Sequence, residues 1–163
     1  MRDGGEMTAH EKWIQETIEL AIKNVHAGTG GPFGAIVVKD GQIVGRGRNQ
    51  VTSLNDPTAH AEVQAIRDAC RNLNTYQLTD CIIYSSCEPC PMCIGAIYWS
   101  RPKAVYFAAT KHDAADAGFD DQFIYEQIAL PLEERSIKMQ QLTTDGHTKP
   151  FEVWKQIPNK LEY

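Results

Sequence analysis

A chain of 163 residues is long enough for one domain with a real hydrophobic core and too short for two. Apolar residues make up 42% and charged residues 23%, a balance that excludes a disordered chain. Sixteen basic against twenty-one acidic residues give −5 at neutral pH with no run of Lys and Arg, which argues against a polyanion such as tRNA or duplex DNA as partner.

No apolar stretch approaches the ~18–20 residues of a membrane span. The opening MRDGGEMTAH has no apolar run of the kind a secretory signal carries. A cytoplasmic protein with no membrane contact is expected. Residues 1–7 read as a frayed tail, and 8–163 as a single domain without repeats or linkers.

Thr8 with Glu11 three residues later forms a capping-box signature. Behind it Trp13, Ile14, Thr17, Ile18, Ala21, Ile22 and Val25 fall on one helical stripe that stops at Gly28. Phe33 to Lys39 reads as a buried strand. Asp40-Gly41 is a two-residue hairpin turn, and Gln42 to Arg48 returns as the partner strand. Pro57 opens a helix near Thr58 that runs to about Leu73, and Cys81 to Ser85 is a short strand. Pro89 starts a helix carrying Cys90 to Trp99, followed by a strand from Ala104 to Ala109. Phe123 to Ala129 is helical, Ile137 to Leu142 strand-like, and Phe151 to Gln156 helical again. The order predicts an α/β fold, a three-layer α/β/α sandwich around a mixed five-stranded sheet.

Four of the five cysteines (Cys81, Cys87, Cys90, Cys93) fall within thirteen residues, which in a reducing compartment points to metal or catalysis before disulfides. Cys90 and Cys93 share one helix face at a helix start, where free N–H groups and the macrodipole favour thiolates. His60 is the imidazole at a comparable helix start. Two thiolates and an imidazole suit Zn²⁺, and three protein ligands with an open fourth position mark a catalytic zinc. Such a zinc supplies hydroxide at neutral pH as nucleophile, and Glu62, two residues from His60, is the candidate proton shuttle. Addition to an electron-poor C–NH₂ carbon and loss of ammonia is hydrolytic deamination. The spacing also permits a closed structural site of His60, Cys87, Cys90 and Cys93 in a non-catalytic zinc-stabilised module. Cys70 and Cys81 read as buried small hydrophobes, and His10, His26, His112 and His147 have no partner spacing.

His60-Ala61-Glu62 and Pro89-Cys90-Pro91-Met92-Cys93 reproduce the H-x-E and P-C-x-x-C signature of zinc nucleobase deaminases. With GGPFGAIVVKDG, NDPTAHAEVQAIR, SCEPCPMCIGAIYWSRPKAVYFAA and AGFDDQFIYE, the chain resembles the small bacterial guanine deaminases of cytidine-deaminase-like fold, from about Glu11 to Tyr163. The resemblance implies hydrolysis of guanine to xanthine and ammonia, with one Zn²⁺ per subunit. It implies base contacts from Phe33 (an aromatic wall), Asn49 (an amide with donor and acceptor), the Ala61 N–H and Asp121. It implies that Trp99 and Tyr163 close the pocket, in a homodimer whose C-terminal segments, a lid over residues 145–163, are exchanged. Guanosine or cytosine remains an alternative substrate for the same chemistry.

Overall fold

The computed structural model describes residues 7–163. The tail read over residues 1–7 lies, Met7 apart, outside them. The capping box is present at the first helix, α1 (Ala9–His26). The Thr8 hydroxyl accepts from the Glu11 N–H at 3.2 Å, and the Glu11 carboxylate accepts from the Thr8 N–H at 2.8 Å. Strand β1 (Gly34–Lys39) turns at Asp40 and Gly41, whose φ angles of 50° and 72° are the left-handed pair a two-residue hairpin needs, into β2 (Gln42–Arg48). A short helix α2 (Val51–Leu54) precedes α3 (Ala61–Leu73). Strand β3 (Ile82–Cys87), helix α4 (Pro91–Ser100), strand β4 (Ala104–Ala109) and helix α5 (Lys111–Asp116) follow.

The sheet has four strands in the order β2-β1-β3-β4. β1 is antiparallel to both neighbours and β4 is parallel to β3, so the sheet is mixed as expected. Its two faces explain the uninterrupted apolar run of β1. Ile36 and Val38, with Tyr84 of β3, pack on Trp13, Ile14 and Leu20 of α1. Ala35 and Val37, with Ile83, pack on Ala61, Ala65 and Ala69 of α3 and Ile97 of α4. Helices on both faces of the sheet give the three layers.

The fifth strand expected over Ile137–Leu142 does not form. Within its own unit, Gln122–Tyr163, the chain runs from helix α6 (Gln122–Ala129) through a single turn of tighter helix at Leu132–Glu134 to helix α7 (Lys149–Gln156). After that tight turn, the Arg135 guanidinium donates to the carbonyls of Ile128 (3.1 Å) and Leu130 (3.2 Å), and Gln127 accepts from the Ser136 N–H at 2.7 Å. These bonds tie the segment to the end of α6, and no ladder partner lies beside it among the described residues. An alternating pattern without a ladder stays irregular.

The other unit, ending at Asp121, is organised by one close contact. Ala61, Ala65 and Ala69 form a small-residue stripe on α3, and Gly45 and Gly47 lie beneath them on β2. A Cβ at Gly47 would stand 2.1 Å from the Ala61 carbonyl oxygen and 2.4 Å from the Ala65 nitrogen. The helix also covers the outer edge of β2: Asp68 accepts from the Arg46 N–H at 2.9 Å and Asn72 donates to the Val44 carbonyl at 2.8 Å. Gly47→Ala must push α3 off the sheet. An overpacking cost of about 1–3 kcal/mol is expected, which thermal unfolding should read as a fall of roughly 2–10 °C at this chain length. An unchanged midpoint would show that the contact does not set the helix position.

Candidate metal centre

Two helices begin later than their prolines suggest, and this places the ligands. Pro91, not Pro89, is the first residue of α4, so Cys90 is the N-cap. A residue before proline avoids the helical region, and Cys90 is extended at φ −69°, ψ 170°. His60 is likewise the extended N-cap of α3, at φ −72°, ψ 154°. Neither side chain caps its own helix. Both turn instead to a common point.

There the His60 Nδ1 lies 3.5 Å from the Cys90 Sγ and 3.5 Å from the Cys93 Sγ. The three donor atoms all lie within 4.8 Å of one another. Tetrahedral bonds of about 2.3 Å to sulfur and about 2.0 Å to nitrogen set ligand separations of roughly 3.5–3.8 Å around a zinc ion, and the two separations from His60 to sulfur match that spacing. The electrostatics fit it too. The Cys90 thiol is pulled down to about 4, first by the hydrogen bond from Cys93 and then by His60. Cys93 is pushed up, first by that same bond with Cys90 and then by burial and Glu62. The His60 imidazole is pushed up by its bond to Cys90. Two adjacent thiolates oppose one another until a cation lies between them.

Glu62, in the first turn of α3, is 6% exposed, and burial pushes its carboxyl above the usual range. Cys93, Cys90 and His60 act on it from close by, Cys93 and His60 opposing the rise and Cys90 adding to it. It therefore faces the ligand group without belonging to it. Cys87 does not join either. Its thiol is pushed up to about 11, chiefly by burial, and approaches the Thr110 carbonyl at 3.6 Å. His60, Cys90 and Cys93 are the only such metal-competent group among the described residues.

The residues expected at the base divide into two sets. Asn49, at the end of β2, and Phe33, at the start of β1, are joined by the bond from the Asn49 N–H to the Phe33 carbonyl at 3.2 Å. The next residue, Gln50, donates to the Ala59 carbonyl at 2.9 Å, which sets them beside the His60 loop. The Asn49 Oδ1 accepts from the backbone N–H groups of Val51 (3.2 Å) and Gly31 (3.4 Å). Its acceptor is thus used within the chain and its Nδ2 is the half left for a ligand, where the sequence suggested both. The Ala61 N–H is the first of α3 and has no acceptor in the helix. Asp121 lies within the field of Cys90 and Glu88, and burial pushes its carboxyl up.

The second set is Trp99 and Tyr163. Trp99 is 63% exposed in the last turn of α4. Nine residues along a helix put it about 14 Å beyond Cys90 along the axis. Tyr163 ends the second unit and is 70% exposed. Three contributors were not singled out from the sequence. Phe119 stands edge-on to Phe33 with ring centroids 5.0 Å apart. Asn24 and Thr29 lie behind Asn49. The GFDD string and the Gly28–Gly31 loop were the available signals.

Comparison with known proteins agrees with this geometry. Residues 7–109 match the cytidine and deoxycytidylate deaminase zinc-binding region. The chain is 59% identical over 154 residues to the guanine deaminase of Bacillus subtilis, covering 94% of this chain and 99% of that one. It is 43% identical over 113 residues to a tRNA-specific adenosine deaminase of Aquifex aeolicus, covering 64% and 75%. The X-ray structure of the Bacillus subtilis guanine deaminase superposes with a TM-score of 0.93 at 58% identity, over 96% of this chain and 99% of that one. A guanine deaminase from Nitrosomonas europaea superposes with a TM-score of 0.67 at 32% identity, over 74% and 69%.

The geometry separates Cys87 from its neighbours in a measurable way. Cys90→Ser or Cys93→Ser should lose zinc on dialysis, whereas Cys87→Ser should retain it at the native ratio. Loss of zinc from the Cys87 variant as well as from the other two would favour a closed four-ligand site.

Proposed function

The chain belongs to the cytidine and deoxycytidylate deaminase zinc-binding family, and from that premise we propose that it is an enzyme that hydrolyses guanine to xanthine and ammonia. The observation that carries this is a buried carboxyl, Glu62, beside a His-Cys-Cys group, in a chain alike over nearly its whole length to a guanine deaminase. Its zinc-dependence follows from the family and the donor set.

His60, Cys90 and Cys93 would hold one zinc per subunit. Zinc supplies a Lewis acid that lowers the pKa of a coordinated water from 15.7 to about 7. The remaining work falls to the chain's own residues. Burial raises the Glu62 carboxyl above the usual carboxylate range, which favours its taking up a proton, as a shuttle needs. It receives the proton of the attacking water and delivers it to the exocyclic nitrogen on C2, which leaves as ammonia. The Asn49 Nδ2 donates to an acceptor on the base edge, and the Ala61 N–H supports it from the helix start. Asp121 accepts from the base N–H donors. Phe33, braced by Phe119, covers the ring face.

Trp99 and Tyr163 would close the pocket from a second copy, in a homodimer with exchanged C-terminal segments over residues 145–163. The exposure of Tyr98, Trp99 and Phe107 supports an association surface. Such a lid leaves no room for ribose and favours the free base. The net charge of −5 argues against the tRNA substrate that the name of the Aquifex relative gives. A cytoplasmic location fits a free purine base as substrate, and no helix is long and apolar enough to cross a membrane.

Zinc-loaded protein should release ammonia from guanine and form xanthine, with guanosine, cytosine and adenine far slower. Glu62→Gln should keep its zinc and lose about 10²–10⁴-fold in turnover; a variant near the native rate removes Glu62 as shuttle. Truncation after Lys149 should abolish most guanine turnover while zinc stays bound. Full activity in the truncated chain would exclude the lid.

A further inference from the structure

We propose that Asn24 is a positioning residue for base recognition: it holds, from behind, the two loops that carry Phe33 and Asn49. This rests on the assignment of those two residues to the base.

Asn24 sits near the end of α1 and is 1% exposed. Asparagine is a weak helix former, and a buried amide is costly unless its hydrogen bonds are made. Here they are made in full. The Nδ2 donates to the Asn49 carbonyl at 2.8 Å and to the Gly31 carbonyl at 2.9 Å. The Oδ1 accepts from the Thr29 hydroxyl at 2.6 Å. That uses both donors of the amide and leaves one acceptor lone pair. The two carbonyls fix which way the amide faces, because they only accept and so must meet the Nδ2; the Thr29 hydroxyl then donates to the Oδ1.

The two carbonyls are not arbitrary. One belongs to Asn49 itself, and the other to Gly31, two residues before Phe33. The Gly31 N–H in turn donates to the Asn49 Oδ1. The bonds form a closed ring: the Asn24 amide to the Asn49 carbonyl, the Asn49 side chain to Gly31, and Gly31 back to Asn24. The ring therefore aims the Asn49 side chain, whose Nδ2 is the half left over. The loop passes so close that a Cβ at Gly30 would lie 1.9 Å from the Asn49 carbonyl oxygen and 2.9 Å from the Asn24 Nδ2. Neither Glu62 nor any of the three metal-competent residues takes part in these bonds.

The separation from the metal group gives the proposal its signature. A loose ring misplaces the groups that bind the base and leaves zinc and the proton shuttle intact. Asn24→Asp keeps the volume but sets an oxygen against two carbonyls. On guanine it should raise KM about tenfold or more, with kcat within about threefold and zinc content native. Thr29→Val removes only the bond to the Asn24 Oδ1 and should move KM the same way by less; it also carries the test if the Asp variant does not fold. Asn49→Ala is measured alongside, singly and combined with Asn24→Asp. Because Asn24 acts through Asn49 and the loop of Phe33 and not on the base itself, the combined variant should raise KM by less than the product of the two single effects. If Asn49→Ala leaves KM unchanged, the assignment of Asn49 to the base fails, and the proposal with it. If Asn49→Ala raises KM while Asn24→Asp and Thr29→Val do not, or if the two effects multiply independently, Asn24 is a structural residue and the positioning role is overturned.

Discussion

The contact of Ala61, Ala65 and Ala69 with Gly45 and Gly47 fixes where α3 begins relative to the sheet. A helix bearing ordinary side chains at these positions stands further off, as packed helices keep 8–10 Å between axes according to the side chains at the contact. With nothing larger than a methyl group between them, the backbone of α3 rests on the backbone of β2. Ala61 belongs both to this contact and to the first turn that carries Glu62. The N-cap His60 and the carboxyl of Glu62 are therefore referenced to the sheet through backbone, with little side-chain play between. Cys90 is referenced to the same sheet through β3, because it follows that strand by only Glu88 and Pro89. The end of β3 and the start of α3, the latter resting on β2, thus meet at one point.

What meets there is electrostatically unstable without a cation. Two sulfurs, an imidazole and a carboxyl share a mostly buried volume, and each charge opposes or recruits its neighbours. Two helix starts offset part of the negative charge through their free N–H groups. A divalent ion offsets the rest and lets both thiolates form. Glu62 is left with a raised pKa and no place in the ligand set, which is the condition a shuttle requires. Cys87 shows the contrast. It is as close in sequence as Cys93 but lies on the strand side of Pro89, and its buried thiol stays protonated.

Most of this was legible in the sequence because it is local. The capping box at Thr8, the Asp40-Gly41 turn, and the His60-x-Glu62 and Cys90-x-x-Cys93 spacings each state their own geometry. What was not legible depends on partners distant in the chain. The Ile137–Leu142 segment has a strand's pattern, but its Arg135 finds the end of α6 first. The helix starts at Ala61 and Pro91 are displaced from the obvious prolines because their N-cap residues serve the metal group instead of the helix. Helices α2 and α5 are too short to show a period. Asn24 looked like one more polar residue of an amphipathic helix, since only the fold reveals that it faces two carbonyls. The distance of Trp99 from the metal group along α4 is fixed by helical rise, and a pocket role for it needs a second chain.

The site divides into two halves with separate supports. The chemical half rests on α3, α4 and the strand ends, and it lies wholly within residues 7–109, the stretch shared across the family. The recognition half proposed for this chain would use Phe33 and Asn49 from that stretch and add Phe119 and Asp121 beyond it. Relatives named for such different substrates as guanine and tRNA adenosine both match this chain, and hydrolysis of a C–NH₂ bond makes the same demands on each. Substrate choice then depends on groups that can move without disturbing the metal ligands. A recognition edge held by α1 from the far side of the sheet meets that condition: its bonds run through Asn24, Thr29 and Gly31, and none passes through His60, Cys90, Cys93 or Glu62. Independence of this kind lets one reaction centre serve several substrates, since a change in the edge alters what is bound and leaves the proton transfer as it was.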